Sequence, residues 1–151
     1  MDQTDTRILR AIQRDSSRPV ADLANDLGLS ASACHRRIKT LEGKGIIAGY
    51  SARLSRRKLG FSLLVFVEIT LQSQERSVLQ GFEAAVRGSD DILECYLTSG
   101  QADYTLRVAA RDMDDYDRIH RDCLATLPNV TAMHTTFALR PIKIWRGYPV
   151  R

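Results

Sequence analysis

Cysteine and histidine are scarce, and both are scattered. The three cysteines, Cys34, Cys95 and Cys123, form no CxxC pair. An odd count in a chain without an export signal points to reduced thiols. The three histidines, His35, His120 and His134, lie just as far apart. Only Cys34 and His35 are neighbours, and adjacent side chains on a helix diverge by about 100°. Neither a metal site nor a Cys/His nucleophile pair is therefore expected. Long apolar runs are also missing. The longest is Leu63-Leu64-Val65-Phe66-Val67, stopped by Glu68, whereas a membrane-spanning helix needs about 20 such residues. The chain opens Met1-Asp2-Gln3-Thr4-Asp5, with neither the basic nor the apolar segment of an export signal. A cytoplasmic location and no membrane partner are expected. No paired acid/base constellation and no phosphate-loop motif is present, which argues against an enzyme, and no cofactor is expected.

What is present has the composition of a globular protein. Of 151 residues, 44% are apolar and 26% charged, which excludes a disordered or collagen-like chain. The length fits one ordinary domain or two small ones. The net charge of +4 is unevenly spread. Residues 1–60 hold 12 Lys/Arg against 6 Asp/Glu, a net of +6, and residues 61–151 hold 10 against 12, a net of −2. A basic N-terminal piece and a mildly acidic remainder suggest that only the first meets a polyanion. Charge alone leaves a solvated basic face equally open.

The first piece reads as three helices and a short ribbon. Residues 5–14 place Ile8, Leu9 and Ile12 at helical spacing, with Thr4 or Asp5 as cap. Ser16-Ser17-Arg18-Pro19 breaks that helix. The second carries Val20, Leu23, Ala24 and Leu27 on one stripe, and Gly28 ends it. Ser30 caps a third helix over 31–43. Two short helices about a turn containing glycine outline a helix-turn-helix.

The third helix has two faces. Cys34, Ile38 and Leu41 form an inward stripe, while Ser32, Arg36, Lys39, Thr40 and Gly43 point outward, with His35 and Arg37 on the flanks. Hydroxyls and long cations suit phosphates and guanine edges in a major groove. Ser30 leaves backbone N–H groups at the helix start where a phosphate can dock. Double-stranded DNA is the expected partner, against the plainer reading of an amphipathic surface helix. A β-prone stretch, residues 46–54, leads into Arg56, Arg57 and Lys58, which either follow a DNA backbone as a wing or solvate a linker. Gly60 marks the expected boundary between domains 1–60 and 61–151.

The remainder alternates strands and helices. Residues 62–72 point Leu63, Val65, Val67, Ile69 and Leu71 one way. The other face begins apolar at Leu64 and Phe66, suggesting a second partner surface. Residues 75–87 are helical, 91–99 and 103–110 form a hairpin, 113–127 a second helix, and 130–139 a last strand. The order is βαββαβ, a ferredoxin-like unit with both helices on one sheet face. The fold class is thus α+β: a three-helix winged helix-turn-helix followed by a ferredoxin-like domain. The uncovered sheet face points to a homodimer.

The layout resembles the Lrp/AsnC (feast/famine) transcription regulators. The resemblance rests on Leu41-Glu42-Gly43-Lys44-Gly45-Ile46-Ile47-Ala48-Gly49-Tyr50 after the helix-turn-helix, on Asp5-Thr6-Arg7-Ile8-Leu9, and on Gly100-Gln101-Ala102-Asp103-Tyr104. It implies dimers assembling into tetramers or octamers, and a small-molecule effector between subunits, commonly an amino acid. On that basis Gly100 frees backbone amides for a carboxylate, Asp103 pairs with an ammonium group and Tyr104 lines the pocket. Thr98, Ser99, Gln101, Thr135 and Thr136 are further candidates for the cleft. Without the resemblance, Asp103 is better read as a turn residue bonded to its own backbone. Three readings compete: an effector-responsive regulator, an effector-independent DNA-architectural protein, and a small-molecule enzyme on a ferredoxin-like scaffold.

Overall fold

Asp2 and Asp5 cap each other. In the computed structural model, which describes residues 1–151, Asp2 Oδ1 accepts from the Asp5 amide at 2.8 Å, and Asp5 Oδ2 accepts from the Asp2 amide at 3.1 Å. This reciprocal box starts α1 (Gln3–Arg14) two residues before the expected 5–14, with Asp2 rather than Thr4 or Asp5 as the cap. Helix α2 (Val20–Leu27) ends at Gly28, whose φ of +70° is the left-handed conformation anticipated there. Helix α3 (Ala31–Gly43) begins where Ser30 Oγ accepts from the Ala33 amide at 3.2 Å. The three helices bury Ile8, Leu9, Leu23, Ala24, Cys34, Ile38 and Leu41 together. The inward stripe read from the sequence of the third helix is the one buried.

No strand forms over residues 46–54, so the expected ribbon is corrected. A strand needs a neighbour to complete its ladder. Here the Ile46 and Ile47 amides instead donate to the Leu41 carbonyl, at 3.0 and 3.2 Å, and close the C-terminus of α3. Ile47 packs on the helical core, and residues 48–54 are exposed.

The chain divides into two units, Met1–Arg53 with Lys143–Arg151, and Leu54–Ile142. The last nine residues thus group with the helices, although the sequence suggested a sheet domain running to 151. Val150 packs against the helical core.

The second unit has the expected element order. Strand β1 (Leu63–Leu71) is followed by α4 (Arg76–Arg87), β2 (Ile92–Leu97), β3 (Tyr104–Ala110), α5 (Met113–Asp122) and β4 (Val130–Phe137). The expected helix 113–127 breaks after Asp122 and finishes as a 3-10 turn, Leu124–Thr126. The sheet order is β2-β3-β1-β4, and every pairing is antiparallel. Val65, Val67 and Ile69 are fully buried under Phe82 of α4 and Ile119 of α5, so one face of the sheet carries both helices. On the opposite face Leu64 is half-buried and Phe66 is 38% exposed.

Candidate nucleic-acid interface and effector loop

Helix α3 offers a stripe of free cationic reach. Arg36 is exposed and its guanidinium has no hydrogen-bond partner in the chain. Thr40, one turn on, donates its hydroxyl to the Arg36 carbonyl at 3.0 Å. Lys44 follows after another turn. Arg36, Thr40 and Lys44 line a shallow cleft closed by Met1 and Ile46. Lys44 was missed in the sequence, although its i+8 spacing from Arg36 continues the same stripe. Ser32 and His35 are exposed beside it. Ser30 is occupied as the helix cap, and its hydroxyl also lies 3.2 Å from that of Ser32.

Other expected DNA contacts are committed inside the chain. Arg37 Nη1 donates to Asp2 Oδ2 and to Asp5 Oδ1, both at 2.7 Å, so this cation joins α3 to the cap of α1 instead of facing out. Lys39 Nζ lies 2.8 Å from Glu42 Oε2, and the Tyr50 hydroxyl donates to Glu42 Oε1 at 2.9 Å. Lys39 first, then Tyr50, holds the Glu42 carboxyl below its ordinary range. An exposed i,i+3 pair of this kind is weak, so Lys39 can still exchange partners. In the second unit, half-buried Arg56 donates to the Phe61 carbonyl within its own turn. Of that cluster only Arg57 and Lys58 are exposed.

The expected effector loop is built differently from the expectation. Asp103 Oδ2 accepts from the Leu71 amide at 2.7 Å, and Oδ1 accepts from Gln74 Nε2 at 3.0 Å. Its own amide donates to the Ile69 carbonyl at 2.9 Å. Both carboxylate oxygens are therefore engaged in pinning the loop to the end of β1. Tyr104 is only 1% exposed and belongs to the core of its own chain. Its ring lies 4.6 Å from that of Phe82, and its hydroxyl donates to Glu83 Oε1 at 3.0 Å. Burial first, then the Glu83 contact, pushes its phenol up to about 12. Gly100 has no left-handed φ, and an added Cβ would meet open space, so no turn in this chain requires glycine there. Thr98 Oγ1 donates to the Ala102 carbonyl at 2.7 Å and closes the loop. Ser99, Gly100 and Gln101 remain exposed.

Thr135 and Thr136 lie on opposite faces of the sheet. Thr135 pairs across from Val67 on the helix-covered face, where its hydroxyl lies 2.9 Å from that of Tyr116. Thr136 pairs across from Phe66 on the opposite face. Adjacent strand residues must diverge in this way. No group of three or more His, Cys, Asp or Glu side chains converges to hold a metal ion.

A helix-turn-helix joined to a ferredoxin-like unit defines a class of DNA-binding regulators. Residues 1–42 match the AsnC-type helix-turn-helix domain, and residues 64–147 match the Lrp/AsnC ligand binding domain. The chain is 43% identical over 117 residues to an HTH-type transcriptional regulator of Sinorhizobium fredii, covering 78% of this chain and 92% of that one. It is 38% identical to the leucine-responsive regulatory protein of Salmonella typhimurium, over 95% of this chain and 87% of the relative. A transcriptional regulator of Neisseria meningitidis, solved as its L-Met complex, superposes with a TM-score of 0.93 at 30% identity, covering 99% of this chain and 96% of that one. The chain belongs to the Lrp/AsnC family of transcriptional regulators.

Proposed function

We propose that this chain regulates transcription in the cytoplasm as a homo-oligomer, reading double-stranded DNA with the outward face of α3 and responding to an amino acid. The carrying observation is the stripe Arg36, Thr40 and Lys44, whose two cations are exposed and without a partner in the chain. Free cations at one-turn spacing on a second helix-turn-helix helix suit a major groove. An amino-acid effector is supported by the matched ligand-binding domain and by the L-Met complex of the Neisseria regulator. In this chain Ser99, Gly100 and Gln101 are the exposed residues of the loop open to a ligand, with Asp103 pinning the loop to the end of β1. Oligomerisation is supported by the sheet face carrying Leu64 and Phe66, since symmetric self-association is the commonest cover for such a patch.

Gel-shift selection of duplexes, followed by titration of Arg36→Ala, tests the DNA reading. A guanine contact predicts a loss of about 1–3 kcal/mol with relaxed discrimination at one base. Unchanged binding rejects the assignment of α3. Thermal-shift screening against the twenty amino acids tests the effector. A ligand at a hundredfold excess over its dissociation constant adds about 2.7 kcal/mol of apparent stability. No shift with any amino acid rejects that part.

A further inference from the structure

The C-terminal residues of the first unit are anchored to α1 through main-chain atoms. Gln13 Nε2 donates to the Tyr148 carbonyl at 3.0 Å, and the Tyr148 amide donates back to Gln13 Oε1 at 2.7 Å. Arg10 Nε donates to the Val150 carbonyl at 2.9 Å, and the Val150 side chain packs on the helical core. Gly147 sits at φ +111°, and a Cβ there would collide with the Gln13 side-chain amide. Glycine is favoured at that turn by its backbone angle, and a Cβ there would displace the Gln13 amide from its hydrogen bonds to Tyr148.

The anchoring spends carbonyls, one amide and Val150, and it leaves the tail's cations unspent. Residues 143–151 hold Lys143, Arg146 and Arg151 and no acid. All three cations are exposed, and none has an ion-pair partner in the chain. Arg151 gathers with Arg7 and Arg10 around a polar cleft on α1. That cleft shares Met1 as a wall with the cleft of Arg36, Thr40 and Lys44 beside α3. The acids between them, Asp2 and Asp5, share the single cation Arg37, which offsets one of their two charges. Around the two clefts the cations Arg7, Arg10, Arg36, Arg37, Lys44 and Arg151 outnumber those two acids, so the surface from α3 past the start of α1 to Arg151 keeps a positive excess.

We propose that Lys143–Arg151 is a second DNA-contacting element, held on α1 so that Lys143, Arg146 and Arg151 meet backbone phosphates beyond the reach of α3. It rests on the DNA-binding reading given above. The tail supplies affinity and register without reading bases, the part a wing plays in other helix-turn-helix proteins. Such a role fits a chain whose residues 46–54 form no strand.

The test is the salt dependence of binding of the full chain to a labelled random-sequence DNA duplex. Each phosphate neutralised contributes about 0.9 to the slope of log affinity against log salt. The double variant Lys143→Gln/Arg146→Gln should lower that slope by about 1.8. The control Arg87→Gln/Arg121→Gln removes the same charge from the other unit and should leave the slope unchanged. Gln13→Ala/Val150→Ser keeps every charge but frees the tail, and should weaken binding at low salt while the slope falls part way. A slope for the tail variant equal to the control's overturns the proposal, and this arm decides the matter even if the freed-tail variant unfolds. A wild-type chain with no salt-dependent binding overturns the DNA reading itself, a result the tail variants alone cannot give.

Discussion

Arg37 Nη1 lies 2.7 Å from Asp5 Oδ1, and the same nitrogen reaches Asp2 at the same distance. One guanidinium thus ties α3 to the capping box of α1, and the two carboxylates raise its own affinity for the proton. Arg37 is thus engaged within the helical unit, whereas Arg36 beside it on α3 has no partner in the chain. Arg37→Ala should lower the melting temperature of the first unit but leave the salt slope of duplex binding within error of wild type. A phosphate-contacting arginine would instead remove about 0.9 from that slope. Thermal melts run beside anisotropy titrations separate the two.

Gly28 holds α2 to the turn at φ +70°, and an added Cβ would meet open space. Gly28→Ala should therefore cost only the left-handed strain, about 1–2 kcal/mol. Urea unfolding should show a lower midpoint with an unchanged slope. A neutral result would mean the turn relaxes to another conformation.

Asp103→Ala strips the Leu71 amide of its acceptor, at a residue only 5% exposed. Leaving a buried donor unpaired costs about 1–3 kcal/mol. The second unit should melt earlier. Calorimetric titration with an amino acid identified by thermal shift should show weaker binding only in step with that loss of order. A variant of wild-type stability that no longer binds would restore a direct ammonium contact.

Tyr104 makes the second unit sensitive to alkali. Its phenol is raised from 10.0 to about 12 in the folded chain, so folding favours the neutral form. The stabilisation is fully present below pH 10 and is lost as pH rises toward about 12. Tyr104→Phe has no proton to lose and should flatten that part of the stability profile. Denaturant midpoints measured between pH 9 and pH 12 provide the check.

Periodicity carried much of this fold. The faces of 31–43 and of 62–72 follow from spacing alone, because a helix or strand fixes which side chains share a side. Partners distant in sequence were not legible. Nothing local tells Arg37 that Asp2 and Asp5 lie beside it, nor tells Tyr104 that Phe82 and Glu83 will bury it. Of the loop Gly100–Tyr104 only Tyr104 is core, and nothing in the motif itself marks it as the buried residue. Strand alternation alone separates Thr135 from Thr136, and the sheet register agrees. The return of residues 143–151 to α1 left no periodic signal, since an extended tail has no face to repeat.

The helical unit takes its pieces from both sides of the sheet unit in the chain, Met1–Arg53 before it and Lys143–Arg151 after it. During synthesis at about 5–20 residues per second, the α1–α3 bundle waits on the order of ten seconds for Tyr148 and Val150 to appear. Throughout that interval Gln13 and Arg10 are uncovered while the ligand-binding sheet assembles. The helical unit is therefore completed only after every strand of the sheet has been synthesised.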